Sequence, residues 1–92
     1  MIRPARLWHA TTPKKLARYL ATGAILAPVR GFDSERAAAL WASRTGRTVL
    51  VEIDVSRDAH RLHMLPDHHN EYGKAWWLDG NATMLHVMET SR

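Results

Sequence analysis

The chain has no cysteine in 92 residues, and this limits its fold more than any other feature. No disulfide can hold it, no thiolate can bind a metal, and no cysteine can act as nucleophile. Apolar burial has to do all the work, and a chain this short buries only roughly 60–65% of the surface its unfolded form exposes. A second core would leave each half too small to stand alone. Residues 1–92 therefore read as a single domain in which each large apolar side chain matters. An apolar share of 46% and a charged share of 24% are ordinary for a globular protein and argue against disorder. No stretch approaches the roughly 18 apolar residues of a membrane span, and Met1-Ile2-Arg3-Pro4-Ala5-Arg6 leads into no apolar leader. The expectation is a cytoplasmic protein that does not engage the membrane.

Hydrophobic periodicity supplies the elements. Ala5 to His9 reads as a short strand, with Leu7 inward and Trp8 on the opposite side. Thr12 followed by Pro13 is a helix start, since proline's missing N–H costs nothing in the first turn. Leu16, Tyr19 and Leu20 then share one face at helical spacing, and Gly23 stops the helix. Ile25 and Leu26 return toward the core, and Pro28 favours an extended stretch. A second helix begins at Asp33-Ser34, runs through an alanine-rich segment that includes Trp41, and ends at Gly46. The clearest strand covers 48–55, with Val49, Val51, Ile53 and Val55 on one face. Residues 56–73 read as polar and irregular, 75–78 as a strand, 79–81 as a turn, and 85–88 as a closing strand. The fold class is α+β, with strands flanking two helices in the N-terminal half.

Charge and histidine content bear on function. Thirteen Lys+Arg against nine Asp+Glu give a net +4, and ten of the cations are arginine. Arginine's planar fork suits phosphate and carboxylate, but the same balance also serves solubility. His60, His63, His68 and His69, with Asp58, Asp67 and Glu71 nearby, offer imidazole and carboxylate donors. Their spacing fits no established zinc pattern, so the expectation is no metal site and histidines that cap, bond locally or touch substrate. Lys14 and Lys15 stand in a helix's first turn, where the helix dipole favours an anion. Trp76 and Trp77 point to opposite faces of a strand, so at most one of them enters the core. Neither a nucleophile elbow nor a phosphate-cradling glycine loop is present.

The run Leu7-Trp8-His9-Ala10-Thr11-Thr12-Pro13, followed by the Leu16/Leu20 helix, Gly23 and Ile25-Leu26, resembles the opening of the ADP-ribosyltransferase-like superfamily. The likeness is to the diphtheria-toxin and poly-ADP-ribose-polymerase branch, which includes the RNA 2′-phosphotransferases. Gly31-Phe32-Asp33-Ser34, the helix carrying Trp41 and the valine-rich strand follow in the family's order, so the resemblance covers residues 6–55 well. It implies a small split antiparallel sheet and a site for NAD. It further implies that His9 bonds the ribose next to nicotinamide, that the Ala10 backbone holds the carboxamide with Thr11 beside it, and that Phe32 and Trp41 flank the ring. The family's late-strand glutamate falls near Lys74 or Ala75 here, and Glu71 is the nearest acid and the candidate catalytic carboxylate. The implied activity is transfer of ADP-ribose from NAD to a protein or RNA acceptor. The alternatives are a relative that binds a nucleotide or a protein without turnover, and a 2′-phosphotransferase-like enzyme. In the last case Arg6, Arg30 and His60 or His63 are the candidate phosphate ligands.

Overall fold

A computed structural model describes residues 2–89. Among these residues six strands form one antiparallel sheet: β1 (Arg6–Thr11), β2 (Val29–Phe32), β3 (Val49–Asp54), β4 (Leu62–Met64), β5 (Ala75–Leu78) and β6 (Met84–Glu89), in the order β4-β5-β2-β1-β3-β6. Two helices, α1 (Pro13–Thr22) and α2 (Glu35–Thr45), complete the α+β domain. Neither described helix is long and apolar enough to cross a membrane.

Both helices start and stop where local chemistry dictates. The Thr12 hydroxyl accepts the Lys15 N–H, Pro13 takes the first helical position, and Gly23 closes α1 at φ 79°. Such a cap stabilises a helix by about 1 kcal/mol. Ser34 caps α2 by accepting the Ala37 N–H, and Gly46 ends it at φ 72°. Asp33 does not share in the capping. Its carboxylate accepts the Lys74 N–H at 2.9 Å and the Trp76 indole N–H at 3.3 Å, tying the entry of α2 to β5.

Strand alternation sorts the core onto two faces. Leu7, Val51, Ile53, Trp76 and Leu78 lie on one, with Leu16 and Tyr19 of α1 packed against them. Phe32, Leu50 and Ala75 lie on the other, under Ala37, Ala38 and Ala42 of α2, joined by Trp8, Ala10 and Trp41. Leu20 departs from expectation: it is 61% exposed, and α1 buries no residue completely. Leu26 is likewise 64% exposed, whereas Ile25 is in the core. Trp76 is the buried member of its pair and Trp77 only half-buried. Two strands lie where no strand was expected. β2 is only four residues long and contains a glycine, and β4 is three residues within the polar stretch.

The sheet forks at its middle. β1 pairs with β3 over six positions and β2 with β5 over four, yet β1 and β2 share the single pair Trp8↔Phe32. Gly31 permits their approach, because a Cβ there would lie 2.9 Å from the Trp8 carbonyl oxygen. Beyond that crossing the two three-stranded halves part.

Candidate functional site

His9 stands in the opening of the fork. Its Nδ1 lies 2.6 Å from the Arg30 carbonyl oxygen, so a side chain of β1 reaches the β2 backbone past the one paired position. A carbonyl only accepts, so Nδ1 carries the proton. Nε2, 3.2 Å from the Tyr19 hydroxyl, is then free to accept its O–H. Tautomer and ring orientation follow from these two partners. Burial lowers the His9 pKa from its ordinary value, partly opposed by the bond to Arg30, and the charges of Lys15 and Arg47 lower it further. The imidazole is neutral at physiological pH, able to donate through one nitrogen and accept through the other.

A cleft of about 320 Å³ opens around His9, near the lower end of the roughly 300–1,000 Å³ common for small-molecule sites. Because the strands have parted, residues from both faces of the sheet line it: Thr11 and Tyr19 from the side of α1, Phe32 and Trp41 from the side of α2. Phe32 and Trp41 are tilted with centroids 6.0 Å apart, and His68 meets the Trp41 ring edge-on at 5.8 Å. Lys15, Arg30 and Arg47 add three cations. None of the three forms an ion pair among the described residues, and no Asp or Glu lines the cleft. The Thr11 hydroxyl is buried without a hydrogen-bond partner among the described residues.

His9, Ala10, Thr11, Phe32 and Trp41 are thus brought together. Glu71 is not with them: it lies on the surface, 3.4 Å from Arg44, outside the cleft. Ala75 reaches the lining, and Lys74 does not. Of the candidate phosphate ligands only Arg30 lines the cleft. Arg6 pairs with Glu52 at 3.5 Å, His60 is exposed, and His63 stacks on Trp77. Three of the four loop histidines meet different partners, and His60 is exposed. His69 Nδ1 accepts the Ala75 N–H at 2.9 Å, and no group of three His, Asp or Glu converges among the described residues. Sequence reasoning missed Tyr19 and Arg47 as cleft residues. The helical spacing of Tyr19 signals only its packing against the core, and Arg47 carries no signal beyond its charge. Compared with known proteins, the chain matches no family model and no curated protein.

Proposed function

We propose that the fork binds the nicotinamide-ribose-phosphate end of NAD or a closely related nucleotide, in a domain of the ADP-ribosyltransferase-like kind that works in the cytoplasm. The observation that carries this reading is the meeting in one cleft of a neutral histidine, two aromatic rings and three cations that form no ion pair among the described residues, with no described Asp or Glu in the lining. Each feature answers a part of the ligand. Phe32 and Trp41 offer apolar faces to a flat cationic ring. A ribose hydroxyl can donate to His9 Nε2 in place of the Tyr19 O–H. Lys15 and Arg47 supply charge for phosphate, and the unpartnered Thr11 hydroxyl supplies a buried donor.

Transfer of ADP-ribose from such a complex breaks the glycosidic bond to nicotinamide, which leaves with the electron pair. The acceptor then bonds to the ribose carbon and loses its proton. A carboxylate would steady the positive charge that develops on the ribose. Glu71 could do so only after leaving Arg44 and entering the cleft. The cationic lining specifically favours a second reading, a 2′-phosphotransferase-like activity in which Lys15, Arg30 and Arg47 hold an RNA phosphate.

Calorimetric titration with NAD tests the binding. Micromolar to low-millimolar affinity that falls at least tenfold in Arg47→Ala is expected. Absence of heat at millimolar NAD refutes the reading. Nicotinamide release then separates ADP-ribosyl transfer from binding alone, and turnover only with 2′-phosphorylated RNA selects the second activity.

A further inference from the structure

One surface feature lies outside the cleft. His63, Trp77 and Arg30 are register partners across β4, β5 and β2, so their side chains form one row on the face of the sheet that carries α2. The His63 and Trp77 rings are stacked, with centroids 4.4 Å apart and planes only 24° from parallel. β4 is the sheet's edge strand and His63 is exposed, so the outer side of the imidazole has no further strand beyond it. At the other end of the row Arg30 is a lining residue of the cleft. The row spans two strand spacings, about 10 Å.

We propose that this row is a stacking platform for a base of a single-stranded nucleic acid whose backbone runs from the sheet edge toward the cleft. A base laid on the outer face of His63 would extend an aromatic column already formed with Trp77. Such stacking is tolerant of sequence because every base has a π-face. Charge at this edge suits a polyanion. Arg30 ends the row, Arg61 immediately precedes β4, and the Arg3 guanidinium donates to the Leu62 carbonyl of β4. The row itself contains no acid. This assigns a substrate class, a nucleic-acid strand, to the neighbourhood of the proposed nucleotide cleft. It rests on the cleft reading for its use but not for its existence.

Fluorescence anisotropy with labelled single-stranded 12-mers, one of uridines and one of thymidines, tests the platform on the intact chain. NAD binding to the same samples is read by calorimetry. His63→Ala is expected to weaken oligonucleotide binding by roughly 5- to 150-fold, the range for losing one stacked base. NAD affinity should stay within twofold. His63→Phe, which keeps a flat ring, should retain binding, and an unchanged melting curve checks that either variant is folded. Tighter binding of the uridine strand names RNA, and tighter binding of the thymidine strand names DNA; both support the platform. Unchanged oligonucleotide binding in His63→Ala, or equal losses in the Ala and Phe variants, overturns it. So does a wild-type chain that binds NAD but neither oligonucleotide. Oligonucleotide binding that depends on His63 without any NAD binding would refute the cleft reading and leave the platform standing.

Discussion

Adding one methyl group at Gly31 should separate the two strands that meet at the fork. A Cβ at that position would lie 2.9 Å from the Trp8 carbonyl oxygen, 3.1 Å from Leu7 Cβ and 3.3 Å from the Trp8 carbonyl carbon. Two of these atoms are backbone and the third is rigidly attached to it, so no rotamer change can relieve the contact. β1 and β2 would have to move apart by about half an ångström at their one paired position, and overpacking of this kind costs about 1–3 kcal/mol. In a domain of this size each kcal/mol lowers the melting temperature by about 4–8 °C. Gly31→Ala should therefore melt about 5–20 °C below wild type by circular dichroism. Gly80→Ala is the control. Its added Cβ would come within 3.1 Å of Arg61 Nη1, a similar distance, but that atom ends a long flexible side chain. The guanidinium can move away, while alanine restricts the unfolded chain and stabilises by about 0.4–1 kcal/mol where the backbone is compatible. Gly80→Ala should thus melt at or slightly above wild type. Equal melting of Gly31→Ala and wild type, or an equal fall in both variants, would refute the idea that backbone contact holds the fork closed at Gly31.

Two further outcomes concern histidines. Burial lowers the His9 pKa below its ordinary value near 6.5, so the unfolded chain takes up this proton first as pH falls. The stability His9 contributes is complete above pH 6.5 and declines below it. The melting-temperature gap between wild type and His9→Ala should therefore shrink from pH 7.5 to pH 5, and a constant gap would contradict a neutral, partly desolvated imidazole. Zinc at a hundredfold excess over Kd would add about 2.7 kcal/mol to a protein with a real site. With His63, His68 and His69 each against a different partner, no appreciable rise is expected; a rise cancelled by His68→Ala would show that they can converge.

Where one residue type has one physical use, the sequence was legible. Thr12-Pro13 and Gly23 bound α1, and Val49, Val51 and Ile53 mark the face of β3 turned toward α1. The cleft lining around His9, Ala10, Thr11, Phe32 and Trp41 was reached through order along the chain and resemblance, with periodicity giving only the elements that carry it. What stayed hidden depends on contacts between distant segments. β2 and β4 are too short to show a period and exist because β5 lies between them. Leu20 has the spacing of a buried residue, yet α1 meets the sheet chiefly through Leu16 and Tyr19. Arg47 joins the cleft because it leads into β3, whose Val49 pairs with Thr11 at the end of β1, and Asp33 ties down β5 instead of capping the helix beside it.

The strand order also has a consequence for how the chain reaches this state. The first strand sits in the middle of the sheet, and each half is finished by late segments: β5 joins β2 to β4, and β6 covers the outer side of β3. While the chain is being made, β3 is complete some thirty residues before β6 appears, and its apolar backbone edge stays open in that interval. Pairings between segments this far apart carry loop-closure entropy that must be met before any contact rewards it, which slows folding. An open edge of Val49, Leu50 and Val51 is also a template for a neighbouring nascent chain. The same connectivity that leaves a gap at the centre of the finished sheet thus makes the polypeptide most vulnerable to misassembly just before its last strand is added.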